Sequence, residues 1–314
     1  MQKSTSRSYF LSGAAGFVGA NLLRRLVGKK CSVDVLLKRD SATWRIEEAL
    51  KSPYVTVHFG DLSDVKSLTV LMKKIAPDVI YHLAARGAYS RQNDASDIFE
   101  TNVIGTLNLL TAAAEVPYAL FVNTGSSSEY GLKRRPMKES DVLEPNSYYA
   151  VAKAAATHLG EYIAKSTDKP IVTLRLFSVF GPYEAPTRFF PTLMTALAES
   201  QPMQLVSPKI ARDFIYIDDV VDLYMNVPKL RQFGGQVFNV GTGKQSSIEN
   251  VVKMAQKVTG RRLECQWQKM PAKTWDTDRW VADMSKTREL LGWMPKNTVE
   301  QGIEKMWSWH QKQQ

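Results

Sequence analysis

The chain contains a tyrosine and a lysine whose spacing could support proton transfer. Tyr149 and Lys153 are four residues apart in a segment with helical spacing, so their side chains share one face of a helix. A phenol with an ordinary pKa of about 10 exchanges protons poorly at neutral pH, but a nearby ammonium favours the phenolate and lowers that pKa. The pair predicts an acid/base group, although the YxxxK spacing alone is a common coincidence.

A cluster of hydroxyl groups precedes this pair along the chain. The apolar run 119–124 is typical of a buried strand, and Ser126, Ser127 and Ser128 follow it. Serines after a strand are usually turn formers, but ligands in open α/β sheets bind at the carboxyl ends of the strands. The cluster therefore indicates either a turn or a set of hydroxyls that face a ligand.

The elements that would position these side chains alternate along the first half of the chain. Helical spacing is found at 17–27, 65–75 and 102–114. Short apolar runs predict strands at 9–12, 33–37, 55–59, 79–83 and 119–124. Such alternation is typical of a parallel sheet covered by helices on both faces. We predict the α/β class, with a doubly wound parallel sheet of the Rossmann type.

A glycine-rich turn joins the first predicted strand to the first predicted helix. One glycine permits the tight turn, a second lets a pyrophosphate approach the backbone, and a third lets the helix pack closely on the strand. The helix N-terminus also offers N–H groups to the anion. In this strand–turn–helix context the loop predicts a dinucleotide site that includes Gly13, Gly16, Phe17, Val18 and Gly19.

The end of the second predicted strand indicates which dinucleotide binds. An NAD site usually has Asp or Glu there, which accepts a hydrogen bond from the ribose 2′-hydroxyl. Here Lys38 and Arg39 follow the apolar strand, and two cations suit a 2′-phosphate. NADP(H) is therefore predicted over NAD, the alternative being that Asp40 binds the ribose. Asp61 and Leu62 follow the third strand, where an adenine-contacting pair is expected, although a surface turn fits them nearly as well.

The composition excludes several other classes of protein. Lys and Arg number 41 against 31 Asp and Glu, but the net charge of +10 is scattered and no nucleic-acid-binding motif is present, so no nucleic-acid partner is expected. The two cysteines have no CxxC spacing and no cluster has metal-ligand spacing, so we expect a reducing, cytoplasmic setting and no metal. No apolar run is long enough for a signal peptide or a membrane span, so no membrane partner is expected.

The order of these motifs resembles the extended short-chain dehydrogenases/reductases, specifically their nucleotide-sugar epimerase, dehydratase and reductase branch. The resemblance covers nearly the whole chain and includes the segments 81–85, 101–106, 175–182, 212–219, 239–241 and 291–295. It implies an enzyme whose substrate is a nucleotide-diphosphate sugar. It also implies a homodimer formed through the helices around 97–114 and 149–165.

The resemblance also implies a domain organisation and roles for the residues already described. Residues 1–176 would form the NADP-binding domain, with later strands around 214–241 returning to it, and 177–314 a smaller domain that mainly binds the sugar nucleotide. Tyr149 would be the acid/base, Lys153 would hold the nicotinamide ribose and lower the tyrosine pKa, and Ser126 would orient the sugar. Further cofactor contacts would come from Leu83, Ala84, Ala85, Asn102 and Phe177.

Substrate contacts are implied in the same way. Arg212 would pair with the substrate diphosphate, unless it pairs instead with Asp213 or Asp219, and Arg279 is a second candidate for this role. The family usually has asparagine where this chain has Ser178, which puts one substrate contact in doubt. The remaining candidates for substrate binding are Arg86, Ser127, Ser128 and Ser178 itself.

Departures from the family pattern bear on the reaction. Sugar 4,6-dehydratases usually have Glu two positions after the catalytic Ser or Thr, but Ser128 occupies that position here. Glu129 is one residue further, and on extended backbone such a shift reverses the direction of the side chain. The sequence therefore argues against a dehydratase.

A reductase and an epimerase remain. Lys38 and Arg39 favour a reductase, because cells keep the phosphorylated cofactor for reduction, whereas an epimerase retains its cofactor and commonly uses NAD. We expect reduction of a nucleotide-linked 4-keto-6-deoxy sugar by NADPH, with a nucleotide-sugar 4-epimerase as the alternative. A dinucleotide-binding sensor without catalysis is disfavoured, because it would not need Ser126, Tyr149 and Lys153.

Overall fold

Strands and helices alternate through the computed structural model, which describes residues 7–88, 92–271, 273 and 275–313. The strands are β1 Ser8–Ser12, β2 Ser32–Leu37, β3 Val55–Phe59, β4 Val79–His82, β5 Leu120–Ser126, β6 Ile171–Leu176, β7 Ser178–Phe180, β8 Met203–Gln204, β9 Ala211–Arg212, β10 Phe214–Tyr216, β11 Val237–Val240, β12 Ser246–Ser247 and β13 Cys265–Gln266. Each strand predicted in the first half is present, with ends that differ from the prediction by at most two residues.

The helices follow the predicted spacing in the same way. They are α1 Phe17–Gly28, α2 Glu47–Leu50, α3 Val65–Ile75, α4 Ala95–Phe99, α5 Gly105–Ala114, α6 Tyr148–Thr167, α7 Phe189–Glu199, α8 Ile217–Tyr224, α9 Val227–Leu230, α10 Ile248–Thr259, α11 Ser285–Leu291 and α12 Val299–Gln311. A π-helix, Glu100–Ile104, joins α4 to α5, and short 3₁₀ helices cover Ser127–Tyr130 and Arg231–Phe233. Within the described ranges, no helix has both the length and the apolar character needed to cross a bilayer.

Seven strands form a mostly parallel sheet in the order β11-β6-β5-β4-β1-β2-β3, which confirms the predicted Rossmann-type α/β fold. Leu11 in β1 is in register with Val35 in β2 on one side and with Tyr81 in β4 on the other. The chain thus runs outwards from β1 in one direction and from β4 in the other. Ligands of open α/β sheets bind at such a switch point, outside the carboxyl ends of the two central strands.

Burial explains why these strands take central positions. All residues of β4 and β6 are buried, as expected for strands covered on both faces. Phe10 and Ile80, from the two central strands, and Phe121 from β5 are fully buried in a core that also contains Leu109 and Leu110 of α5. Packing against this core therefore fixes the positions of the carboxyl ends of these strands.

The helix that carries the tyrosine–lysine pair has a defined beginning. The side chain of Ser147 accepts a hydrogen bond from the Ala150 N–H at 3.2 Å, which is the usual N-cap arrangement. The helix ends at Asp168, whose backbone is left-handed. The cap fixes Tyr149 in the first turn and Lys153 in the second.

The chain divides into two compact units. The first unit comprises residues up to 129, 147–175 and 224–238, with most of the large sheet, and the second comprises 130–146, 176–223 and 239–314. These boundaries differ from a single division at residue 176, because the Met137 N–H bonds to Val281 O in the second unit and the Gly235 N–H bonds to Ile171 O in the first. Of the later strands expected to return to the large sheet, β11 does so, whereas β10 pairs with β7 in a separate two-stranded sheet.

Candidate active site

The glycine loop forms a cradle that side chains would fill. Gly13 follows β1 with a φ of +77°, and a Cβ there would lie 2.4 Å from the backbone nitrogen of Ala84. A Cβ on Gly19 would lie 2.2 Å from Gly13 O. Gly16 caps α1, and no described side chain bonds to that cap. Backbone N–H groups at a helix start beside such glycines fit a pyrophosphate, as the sequence predicts. Phe17 and Val18 form the first turn of α1, where they were expected.

The segment after β4 lies against this cradle. The Leu83 N–H donates to Ser12 O at 3.0 Å, which places Leu83, Ala84 and Ala85 beside the end of β1. The side chain of Asn102, predicted to contact the cofactor, makes two 2.8 Å hydrogen bonds to the backbone N–H and C=O of Arg86. Asn102 therefore holds the segment after β4 in place.

A buried hydrogen-bond chain connects β1, β4 and the π-helix. Thr106 donates its hydroxyl proton to Asn102 O at 2.6 Å, so it must accept from His82 Nε2–H at 2.8 Å. The other ring nitrogen, Nδ1, then accepts from the Ser12 hydroxyl at 2.6 Å. Burial lowers the pKa of His82 to about 3, and the Lys153 charge acts in the same direction, so this imidazole is neutral.

Two cations, Lys38 and Arg39, follow the end of β2, and Asp40 comes directly after them. Leu37 is buried, and the Lys38 ammonium that follows it lies 2.8 Å from the Asp61 carboxylate. The Arg39 guanidinium lies 5.5 Å from the centre of the Phe59 ring. Burial opposes ionisation of Asp61, but hydrogen bonds from Lys38 and Ser63 lower its pKa overall. Lys38 is therefore paired within the protein, and a 2′-phosphate would compete with Asp61 for it.

Leu62, the second residue of the predicted adenine-contacting pair, is buried. Its side chain is 6% exposed and belongs to the core beneath the sheet. Its carbonyl accepts a hydrogen bond from the Asn108 amide at 2.8 Å. Any contact of Leu62 with a dinucleotide would therefore come from its backbone.

The proposed catalytic residues lie at the carboxyl ends of the strands. Ser126 ends β5, and its hydroxyl oxygen accepts from the Ser128 N–H at 3.2 Å, so its proton can point elsewhere. Tyr149 is half-buried, and a Cβ on Gly87, in the segment after β4, would lie 3.3 Å from its Cβ. Lys153 is buried, and burial lowers its pKa to about 8, against the opposing charge of Glu129. This set can hold and move one proton.

Glu129 does not point where an elimination acid would. One carboxylate oxygen accepts from the Ser126 N–H at 2.7 Å, and the other accepts from Thr157 Oγ1 at 2.9 Å and from Arg175 Nε at 2.6 Å. The side chain has no exposed surface. Glu129 thus points into the interior, but not because of the side-chain alternation expected for extended backbone, since residues 127–130 form a 3₁₀ helix. An arginine inside the mainly apolar β6 is the one sequence feature that indicates a buried partner for a carboxylate.

Of the candidate substrate contacts in the first unit, Arg86 is paired within the protein and Ser127 is buried. Arg86 forms an ion pair with Asp97 at 2.6 Å. Ser127 is 6% exposed, whereas Ser128, in the same 3₁₀ turn, is half-buried. Ser128 is therefore the more accessible of the two serines.

The candidates in the second unit cluster around the segment 275–280. The Arg212 guanidinium donates to the carbonyls of Ala211, Trp275 and Thr277 and lies 3.5 Å from the Asp276 carboxylate. The alternative partners considered from the sequence are wrong, because Asp213 is bound by Thr242, Gly243 and Ala282, and Asp219 by Lys296 and Asn297. A diphosphate would have to displace protein acceptors from Arg212.

Two of the other predicted residues of the second unit, Ser178 and Phe177, are anchored through their backbones, and Arg279 through its guanidinium. The Ser178 N–H donates to Asp213 O at 3.0 Å, and the half-buried Ser178 lies in β7. Phe177 is buried beside the Tyr130 ring, and its N–H donates to Val240 O. Arg279 is exposed and donates to the carbonyl of Arg134. Exposure leaves Arg279 better placed than Arg212 to meet an anion.

Comparison with known proteins gives one consistent family. A family model described as GDP-mannose 4,6 dehydratase matches residues 10–306. A UDP-glucuronate 4-epimerase from Thermodesulfobacterium geofontis is 27% identical over 96% of this chain and 95% of its own. A dTDP-glucose 4,6-dehydratase from Xanthomonas campestris is 26% identical over 96% of this chain and 93% of its own.

A solved structure extends the similarity to three dimensions. UDP-glucuronic acid 4-epimerase from Bacillus cereus, in complex with UDP-glucuronic acid and NAD, superposes with a TM-score of 0.84 and 27% identity. The match covers 98% of this chain and 100% of that one. The similarity therefore includes both units of the chain.

Proposed function

Because the chain belongs to the GDP-mannose 4,6 dehydratase family of extended short-chain dehydrogenases/reductases, we propose that it is a nucleotide-sugar 4-epimerase with a retained dinucleotide. The observation that carries the proposal is the burial of Glu129 between Ser126, Thr157 and Arg175. Ser127 and Ser128 are the residues that follow Ser126, so within the described turn 127–130 there is no carboxylate other than the buried Glu129 to drive loss of water. The dehydratases among its relatives are therefore poorer guides than the epimerases.

The residues of the first unit fit the dinucleotide. The cradle at Gly13 and Gly19 has no room for a Cβ, and the N-terminus of α1 has backbone donors for a pyrophosphate. Lys153 is buried on the face of α6 that also carries Tyr149, so it suits a ribose hydroxyl. When bound, the nicotinamide supplies the hydride acceptor and donor.

The protein's own part in the reaction is proton transfer and orientation. Tyr149, as phenolate, would take the proton of the C4 hydroxyl while the C4 hydride leaves, and it would return that proton after the hydride comes back to the other face. Lys153 would favour the phenolate by its charge. Ser126 would donate a hydrogen bond to the C4 oxygen. Proton and hydride are both returned, so no reactant is consumed.

The experiment is an epimerisation assay on the unaltered protein. UDP-glucuronate, UDP-glucose and other nucleotide sugars are incubated with it in the presence of NAD or NADP, and the sugar is followed by proton NMR. We expect one pair of C4 epimers to reach the same mixture from either side, without net change in the dinucleotide. Formation of a 4-keto-6-deoxy sugar would instead identify a dehydratase and contradict the proposal.

A second candidate, an NADPH-dependent reductase of a 4-keto-6-deoxy nucleotide sugar, rests on the end of β2. Leu37 occupies the position where NAD sites have a carboxylate, and Lys38 and Arg39 follow it. The relatives described above are epimerases and a dehydratase, and the solved structure contains NAD, so they favour the first candidate. Stoichiometric loss of NADPH with a 4-keto-6-deoxy sugar would identify the reductase.

The double variant Lys38→Ala/Arg39→Ala tests whether the protein prefers NADPH to NADH through these two cations. If these cations bind a 2′-phosphate, the affinity for NADPH should fall roughly 10- to 100-fold, since hydrogen bonds to charged groups are worth about 1.5–3 kcal/mol. The affinity for NADH should change little. Dissociation constants from quenching of protein fluorescence measure both effects.

The matched control is Lys73→Ala, which removes a lysine from another half-exposed ion pair, with Glu115 at 2.9 Å. Lys73 lies in the last turn of α3, near the amino end of β4 and away from the carboxyl ends of the strands, so its loss should leave both affinities unchanged. Equal losses for NADPH and NADH in the double variant would show that Lys38 and Arg39 do not select the 2′-phosphate.

A further inference from the structure

A buried ion pair lies next to the proposed catalytic residues without being one of them. Glu129 is fully buried, and its partner Arg175 is 2% exposed. Burying two charges costs their hydration, and replacing such a pair by apolar side chains often leaves a protein equally stable. Stability alone therefore gives no reason for a glutamate at this position.

The carboxylate joins three segments of the first unit. Its oxygens accept from the N–H of Ser126 at the end of β5, from the hydroxyl of Thr157 on α6 and from the guanidinium of Arg175 on β6. These bonds use both oxygens at distances of 2.6 to 2.9 Å. The position of Ser126 relative to α6 is therefore set through Glu129.

The face of α6 that Glu129 contacts also carries the buried Lys153. Thr157 is four residues beyond Lys153, so both lie on one face of α6, and that face meets Glu129. The charged and titratable groups around Lys153 are Glu129 from the turn after β5 and His82 from β4. Tyr149 lies one turn earlier on the same helix, and the Arg175 guanidinium of β6 is bound to Glu129. His82 is neutral, so Glu129 is the carboxylate whose negative charge acts on the ammonium.

We propose that Glu129 is a positioning residue, which fixes Ser126 through its backbone N–H and supplies the buried counter-charge for the Lys153 ammonium. The meaning of this role for catalysis rests on the proposed function, whereas the contacts themselves do not. Glu129 would act through Lys153 and Ser126 and would touch neither sugar nor dinucleotide.

Removal of the negative charge of Glu129 should change the pKa of Lys153 in a defined direction. Burial already lowers the pKa of Lys153 to about 8, and Glu129 opposes that shift. Without Glu129 the ammonium is less favoured, so the pKa of Lys153 should fall further. Once Lys153 is neutral it no longer favours the Tyr149 phenolate, so activity should be lost as the pH rises through the lowered pKa of Lys153. The basic limb of the pH profile should therefore move to lower pH, which narrows the profile from that side.

The test is Glu129→Gln, which keeps the shape of the side chain and removes its charge. In protein labelled with ¹³C at lysine Cε, the Lys153 resonance is assigned by its loss in Lys153→Met, and its titration midpoint is compared between variant and unaltered protein. We expect a downward shift of about one pH unit or more, the size expected for loss of a nearby opposite charge. In the epimerisation assay, kcat should fall about tenfold or more with a smaller change in KM, and the pH profile should narrow.

Two further variants keep the test decisive. Thr157→Val removes one hydrogen bond to Glu129 but no charge, so it should leave the Lys153 midpoint and the pH profile in place. Glu129→Gln/Arg175→Met removes both charges and avoids an unpaired buried guanidinium, so it tests the midpoint if the single variant does not fold. Loss of the Arg175 charge favours the ammonium, so the downward shift of the Lys153 midpoint should be smaller in this variant than in Glu129→Gln.

The outcomes separate this inference from the proposed function. An unchanged Lys153 midpoint in both charge-removing variants would overturn the role of Glu129, and so would an equal shift in Thr157→Val. Absence of turnover on every sugar would contradict the proposed function, while the Lys153 midpoint would still report on Glu129.

Discussion

Tyr149→Phe should lower turnover by roughly 10²- to 10⁴-fold, the usual contribution of a positioned acid/base, while dinucleotide affinity stays close to that of the unaltered protein. The variant keeps the ring beside Gly87 and loses only the phenolic oxygen that would exchange the proton. The epimerisation assay measures the first effect, and fluorescence titration with NADH measures the second.

The neighbouring tyrosine provides the control. Tyr148 is the first residue of α6 and is 60% exposed, so Tyr148→Phe removes a phenol from the same helix turn without touching the buried face. Its turnover should match that of the unaltered protein. Turnover of Tyr149→Phe within a few-fold of normal would remove Tyr149 from its proposed role, whatever the sugar.

Gly19→Ala should weaken dinucleotide binding about 100-fold. The added Cβ would lie 2.2 Å from Gly13 O and 2.9 Å from the Cα of Ala14, and backbone atoms cannot rotate out of its way. The loop must then shift, and overpacking of this kind costs roughly 1–3 kcal/mol, where 1.4 kcal/mol is a tenfold change in affinity. Dissociation constants for NADH and NADPH, with thermal unfolding of the apoprotein, measure both consequences.

The same substitution at the other end of the same helix is the control. Gly28 ends α1, and a Cβ there meets nothing within 4 Å. Gly28→Ala should leave dinucleotide affinity unchanged and stability equal or slightly higher, because alanine favours a helix more than glycine does. If both variants bind NADH and NADPH normally, the loop does not form the dinucleotide cradle.

The features predicted correctly from the sequence are local ones. The strands, the helix with the YxxxK spacing and the glycine turn each depend on residues within one or two helical turns of one another. Periodicity and turn chemistry act over that range, so the first half of the Rossmann sheet could be derived from them. The doubly wound parallel arrangement followed from the rules for such sheets rather than from any one residue.

Side-chain partners far apart in the chain could not be derived in this way. Glu129 meets Thr157 and Arg175 across 28 and 46 residues, and the sequence indicated only that its carboxylate would diverge from Ser128. Arg212 bonds to carbonyls more than 60 residues later, which a search among neighbouring acids did not find. Such pairs depend on packing, which one sequence does not show.

The type of reaction was hard to infer because a sequence shows the charge of a residue but not the partners of that charge. The cations Lys38 and Arg39 favour NADPH and hence a reductase, but the structure pairs Lys38 with Asp61, which satisfies that charge without a phosphate. The relatives then favour an epimerase. A charge at a known position identifies a ligand only when its protein partners are also known.

The wide turn at Glu100–Ile104 makes the length of this stretch less constrained than that of the helix after it. A π-turn holds one residue more than an α-turn, and each α-helical residue turns the chain by about 100°. Loss of one residue from the π-turn would tighten it to an α-turn and leave Thr106 close to the phase at which it meets His82. The same loss inside the first turn of α5 would rotate everything after it by that angle and turn the buried Leu109 and Leu110 away from the core.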